Sequence, residues 1–307
     1  MEHKTVLLKE AIDYLALKPD GIYVDCTLGG GGHSEAIVKV LDKGHLFCFD
    51  QDEFALSKAK ERLSAYQDKI TFIHANFAKL NHYLALHNIE FVDGVLYDLG
   101  VSSFHFDDKD RGFSYQHDAP LDMRMDPSQT VTAKDLVNRL EEKELKSILY
   151  RYADEVFAPR IAQNIVKRRQ EKPIETTFEL VDIVKASLPN KVLRQKGHPA
   201  KKTFQALRIA VNDELRVFED SLKQAIEKLR IDGRVVVISF HSLEDRIAKH
   251  MFRDYSTVDH PKELLTMPEK DPDYALVNKK IVLPSAQEIL ENNRAHSAKM
   301  RAIKKIK

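Results

Sequence analysis

The run Val24-Asp25-Cys26-Thr27-Leu28-Gly29-Gly30-Gly31-Gly32-His33-Ser34 constrains the fold more than any other part of the chain. An apolar strand ends on a carboxylate and passes through four consecutive glycines into a helix. Glycine reaches φ > 0 and lets a ligand approach the backbone where a Cβ would collide, so this order builds the cradle of a nucleotide-like cofactor in an α/β protein. Only 11 glycines serve 307 residues, and four of them stand together here.

The acids narrow the ligand. A dinucleotide fingerprint, G-x-G-x-x-G, seats a pyrophosphate on backbone N–H groups at a helix start. S-adenosylmethionine carries no phosphate. It carries an ammonium, a carboxylate and a sulfonium, and its site calls for an acid beside the glycine turn, where Asp25 stands. A second acid belongs at the end of the next strand, to accept both ribose hydroxyls. The run Leu46-Phe47-Cys48-Phe49 supplies it as Asp50, followed by Asp52. The ribose acid of a dehydrogenase falls at a similar spacing, so Asp50 alone leaves an NAD-dependent oxidoreductase open. Glycine spacing and Asp25 favour the methyl donor.

At 307 residues the chain exceeds the usual size of a single core, which predicts two domains. Met1-Glu2-His3-Lys4-Thr5 holds no apolar signal region, and no stretch approaches the roughly 20 apolar residues of a membrane span. A cytoplasmic protein with no membrane partner is expected. Cys26 and Cys48 read as small buried thiols, and the histidines show no ligand spacing such as H-E-x-x-H, so no metal is expected.

Strands are expected at Ile22 to Thr27, Leu46 to Asp50, Ile70 to His74 and Val92 to Leu99, with helices at Ser34 to Leu41, Glu53 to Tyr66 and Phe77 to His87. On the second helix, Phe54, Leu56, Ala59 and Leu63 form the apolar side. Such alternation means a parallel sheet covered by helices. The next buried strand, Arg234 to Phe240, comes too late for a single crossover, so something is inserted. The insert reads as helical. Thr132-Ala133-Lys134-Asp135 and Thr176-Thr177-Phe178-Glu179 have the spacing of capping boxes. The expected architecture is a Rossmann-like, S-adenosylmethionine-dependent methyltransferase sheet over 1–109 and 204–307, with an all-helical insert over 110–203. One helix is expected from Thr203 to Leu229, a further one capped by Ser242-Leu243-Glu244-Asp245, and a closing hairpin from Ala275 to Leu283 with Ser297 to Ile306.

Charge balances overall, but from Lys191 to Arg208 there are six Lys or Arg and no acid. An unpaired basic loop attracts a phosphate backbone, which makes Lys196, Lys201 and Lys202 candidates for RNA contact. Active sites of open α/β sheets lie outside the carboxyl ends of the strands. The most chemical end is Asp98-Leu99-Gly100-Val101-Ser102-Ser103, followed by Phe104, Phe106, Phe113 and Tyr115. A carboxylate and two hydroxyls stand there where a substrate base would meet the methyl group, with Asp98, a backbone carbonyl or Ser102 as the acceptor for a proton of the reacting group. His241 is a further candidate, with capping or packing as its ordinary role. Phe104, Phe106 or Phe113 could stack on a base turned out of its helix.

Asp25 to Ser34, Asp98 to Ser103, Arg111 to Tyr115, Leu121 to Met125, Gly197 to Ala200, Thr203 to Arg208 and Ser239 to Arg246 together resemble the ribosomal RNA small subunit methyltransferase H family. The resemblance runs from Lys4 to about Arg301. It implies methyl transfer from S-adenosylmethionine to N4 of a cytidine in the decoding region of bacterial small-subunit rRNA, with the rRNA or the 30S particle as partner. It implies cofactor contacts at Gly31, Gly32, His33, Asp50, Phe77 and Asp98. The family usually continues Ser-Ser with Pro-Gln, whose Gln touches the cofactor; Phe104-His105 stand there, which puts a contact from His105 in question. Arg294-Ala295-His296-Ser297 likewise replaces an Arg-Ala-Arg-Ser pattern. A non-catalytic RNA-binding protein with a vestigial glycine loop is the other alternative, and the oligomeric state, a homodimer included, stays open.

Overall fold

The computed structural model describes residues 4–101, 109–258 and 271–307. The chain divides into two compact units, Met1–Gly100 with Leu215–Lys307, and Val101–Glu214. The expected boundaries, 109/110 and 203/204, move to 100/101 and 214/215, the second because the helix over 201–212 belongs to the insert.

A helix that the sequence pattern did not predict, α1 (Leu8–Leu15), comes first, and from there the chain alternates as expected: β1 (Ile22–Asp25), α2 (Gly32–Val38), β2 (His45–Asp50), α3 (Glu53–Arg62), β3 (Ile70–His74), α4 (Leu80–Leu86) and β4 (Val92–Asp98). The insert holds α5 (Ala133–Arg139), α6 (Glu142–Ala153), α7 (Ala158–Glu171), α8 (Thr177–Ser187), α9 (Asn190–Leu193) and α10 (Lys201–Asn212). The return supplies α11 (Glu214–Glu227), β5 (Leu229–Ser239), α12 (Ser242–Tyr255), β6 (Tyr274–Leu276), α13 (Ala286–Glu291) and β7 (Lys299–Lys305).

The seven strands lie in the order β3-β2-β1-β4-β5-β7-β6, parallel through β5, with β7 antiparallel to both β5 and β6. This is a Rossmann-like sheet closed by the expected terminal hairpin. Strand order reverses between β1 and β4, where open α/β sheets bind ligands. Pairing of Asp25 with Cys48, Asp50 with His74 and Asp98 with Ile238 brings the carboxyl ends of β1 to β5 to one edge.

Successive strand residues enter opposite cores. Leu46, Cys48, Val236 and Ile238 join one cluster, and Phe47, Phe49, Val235 and Val237 the other. With both faces covered, these strands read as unbroken apolar runs rather than alternating ones. On α3, Phe54 is 53% exposed, contrary to its expected inward place, because the buried side follows Ala55, Leu56 and Ala59. Among the described residues no helix is long and apolar enough to cross a membrane.

Both expected capping boxes of the insert form, with Thr132 and Asp135 at the start of α5 and Thr176 and Glu179 at the start of α8. Leu145, Leu149, Ile161, Ile165, Leu180 and Leu207 build its core, each fully buried and each contributing about 1.5–3 kcal/mol of apolar burial. The single helix expected from Thr203 to Leu229 is two. Asp213 takes a left-handed conformation, φ 50°, and ends α10. Asn212, just before it, turns its amide inward to accept from Met125 N–H and donate to Met123 C=O, both at 2.8 Å. Phe204, Ala206, Leu207 and Val211 therefore pack in the insert, whereas Phe218 and Leu222 of α11 pack on the sheet.

Candidate active site

The glycine turn is tied to the neighbouring strand at two points. Leu28 N–H donates to Phe49 C=O at 3.0 Å and Gly29 N–H to Asp50 Oδ2 at 2.9 Å. Gly31 is left-handed, φ 75°, and a Cβ there would meet Leu63 at 3.3 Å. A Cβ on Gly32 would stand 1.8 Å from Thr5 Oγ1. These two glycines thus accommodate the chain's own N-terminal segment and the end of α3, a packing reason that the sequence pattern did not separate from ligand approach.

Asp25, expected as the acid beside the glycine turn, is buried there at 1% exposure. Its carboxylate accepts from Ser34 Oγ at 2.6 Å and Thr27 N–H at 3.0 Å, so it braces the turn. Burial outweighs these bonds and pushes its carboxyl up to about 6 from an ordinary 3.8. The folded state therefore holds this proton more tightly than the unfolded chain, and Asp25 costs stability increasingly as pH rises from about 4 to about 6, on the order of 3 kcal/mol in full. Asp25→Asn should gain stability relative to the native chain between pH about 4 and about 7. Urea denaturation with the same pH dependence in both proteins would remove Asp25 as the titrating group.

Asp50 ends β2 with both carboxylate oxygens oriented by the backbone, Oδ2 by Gly29 N–H and Oδ1 by Asp52 N–H at 2.9 Å. A carboxylate is an acceptor-only group with two oxygens, the chemistry that two vicinal hydroxyls call for. Beyond β3, Asn76 caps the short 3-10 turn that begins at Phe77, accepting from Ala78 N–H at 2.9 Å. The Phe77 ring meets Tyr97 edge-on at 5.7 Å.

Asp98 closes β4. Its N–H donates to Thr27 Oγ1 at 2.6 Å, linking the ends of β1 and β4 through a residue that the sequence reading passed over. Its Oδ2 lies 3.5 Å from Nδ1 of His33, which is 4% exposed. Its Oδ1 is buried and has no hydrogen-bond partner among the described residues. Burial, with Asp25 and Glu244 nearby, pushes the Asp98 carboxyl well above the usual carboxylate range. An acceptor oxygen without a donor, in a cluster of acids, fits a cationic or amine-bearing ligand. Of the expected cofactor residues, Asp50 is tied to the glycine turn and Asp98 to His33, whereas the Phe77 ring packs on Tyr97.

His241 takes the capping role named above as its ordinary one. It is the N-cap of α12, one residue before the predicted cap, with Nδ1 accepting from Glu244 N–H at 3.4 Å. Its Nε2 lies 3.0 Å from Glu244 Oε1. Glu244 itself, 3% exposed, holds the turn by accepting from Phe240 N–H at 2.8 Å. Its signal was legible in the sequence as a Glu three residues after a capping position. Ser102, Phe104, His105 and Phe106 lie outside the described residues.

In the insert, Phe113 is 5% exposed within the hydrophobic core, which leaves no ring face for a stacked base. Tyr115 instead lies half-buried and stacked on His198, centroids 4.3 Å apart and 12° between planes. Lys196 and Lys201 are exposed, and Lys202 donates to the Asp154 carbonyl at the end of α6 at 3.0 Å.

A family model of the MraW methylase family matches residues 1–306. Ribosomal RNA small subunit methyltransferase H of Streptococcus equi subsp. equi (strain 4047) is 52% identical over 309 aligned positions, covering 99% of this chain and 98% of that relative. The protein of the same name from Streptococcus mutans serotype c is also 52% identical, with 99% and 98% covered. A solved structure of an rRNA methylase from Streptococcus thermophilus aligns over 100% of both chains at 12% identity, with a TM-score of 0.45. A match of this length, with two relatives that share half the sequence, means that the chain belongs to the MraW methylase family.

Proposed function

We propose that this protein methylates N4 of a cytidine in the decoding region of small-subunit rRNA, with S-adenosylmethionine as donor and the rRNA within the 30S particle as substrate. The observation that carries the reading is Asp98: a buried acceptor oxygen without a partner among the described residues, at the switch point of the sheet and beside the glycine turn. The names of the relatives support the RNA substrate.

When bound, S-adenosylmethionine supplies a methyl group already activated by its sulfonium. The chain's residues have the remaining tasks. Asp50, oriented by Gly29 and Asp52, accepts the ribose hydroxyls. Asp98 accepts an N–H of the target amine and takes up its proton as the nitrogen gains a bond and positive charge. Positive charge close to Asp98 lowers the proton affinity that burial, Asp25 and Glu244 raise, which keeps the acceptor ionised for that purpose.

Mass spectrometry of small-subunit rRNA from cells with and without the gene tests the whole proposal: one decoding-region cytidine should lose a single methyl group. Unchanged rRNA overturns it. Calorimetry with S-adenosylmethionine and NAD separates the methyltransferase from an oxidoreductase.

Lys196, Lys201 and Lys202 are proposed to meet RNA phosphates from the insert. Changing all three to Ala should flatten the salt slope of RNA binding by about 2 units, at roughly 0.7 per phosphate for a single strand, and leave cofactor affinity unchanged. Loss of thermal stability with an unaltered slope would assign them to folding.

A further inference from the structure

Helix α12 leaves β5 at the edge that carries Asp98. Phe240, between them, lies 3.5 Å from where a Cβ on Gly100 would stand, so the helix starts close to the candidate site. Its inner side buries Glu244, Ala248 and Phe252. Its exposed side carries Arg246, Lys249, His250 and Arg253, at steps of three and four residues that place them on one face.

Two acids of this helix hold basic partners. Asp245 holds Arg301 at 2.7 Å and has Lys299 at 3.8 Å, and Asp254 holds Arg253 at 2.7 Å. Arg246, Lys249 and His250 make no ion pair among the described residues. Like charges three and four residues apart destabilise a helix by about 0.2–0.5 kcal/mol per pair, and the acid beside this face, Asp254, pairs with Arg253 at its far end rather than with Arg246 or Lys249. Such an arrangement suits a polyanion. From Arg246 to Arg253 the stripe runs about 10 Å at 1.5 Å per residue. That reaches two or three phosphates at the roughly 3.4 Å axial spacing of one strand.

We infer that the exposed face of α12 binds the phosphates of the RNA strand flanking the target nucleotide, on the sheet unit and separately from the lysines of the insert. The inference rests on the RNA methyltransferase reading above. Contacts of this kind set position and affinity without reading sequence.

The test is Arg246→Ala/Lys249→Ala in the full chain, with dissociation constants for a fluorescent single-stranded oligocytidylate measured across a salt series. The slope of log affinity against log salt should flatten by about 1.4, two contacts at roughly 0.7 each. Calorimetric affinity for S-adenosylmethionine should stay unchanged, which also verifies folding. Lys249→Glu alone should move the slope in the same direction. Lys43→Ala/Lys223→Ala, which removes two exposed lysines elsewhere on the same unit, should leave it alone. Equal slopes for native chain and stripe variant, or an equal change in the control, overturn the inference while leaving methylation by the native chain intact. A native chain that binds no RNA and methylates none overturns the functional reading as well.

Discussion

Asp98→Asn should lower single-turnover methyl transfer by about 10²–10⁴-fold, the span associated with a positioned general acid or base. Asparagine keeps the size and one acceptor oxygen, but it cannot take the amine proton. The native carboxylate is raised above its ordinary range by burial and by Asp25 and Glu244, so methylation should fall away on the acid side of its pH profile as Asp98 becomes protonated. The variant should lack that limb. Because the substituted amide could still accept a hydrogen bond, cofactor affinity should change far less than the rate. An Asp98→Asn enzyme with the native rate and pH profile would remove Asp98 from the chemistry and return attention to a backbone carbonyl or Ser102.

Asp50→Ala should weaken S-adenosylmethionine by about 2 kcal/mol or more, roughly a 30-fold rise in dissociation constant, because a charge-assisted acceptor is lost and its partners are left unpaired. The same substitution strips the acceptor from Gly29 N–H and Asp52 N–H, so the glycine turn should loosen and thermal stability fall as well. RNA affinity should barely move. Asp50→Asn separates the two effects, since it retains one backbone acceptor and loses the charge. Calorimetry showing native cofactor affinity in Asp50→Ala would sink the ribose assignment.

The parts of the site that were legible in the sequence are those written in short segments. A strand ending in an acid, a glycine run and a helix start are neighbours along the chain, so Asp25, Asp50 and Asp98 could be placed at strand ends from apolar runs alone. Capping boxes are four-residue patterns, and those at Thr132 and Thr176 formed where they were read. The cap of α12 slipped by one because Ser242 is the commoner capping type, whereas the spacing from Glu244 selects His241.

What the sequence determined by itself was the order of elements, the inserted helical region and the edge of the sheet where chemistry belongs, since periodicity and caps are local properties of the chain. Tertiary structure alone decided that Asp25 is buried and supports the turn, that Phe113 is core, that a helix ends at Asp213 because Asn212 reaches Met123 and Met125, and that Gly32 makes room for Thr5. Each of those outcomes depends on which surfaces meet across long separations in sequence. Burial and hydrogen-bond partners are properties of such meetings, and the identity of a residue does not contain them.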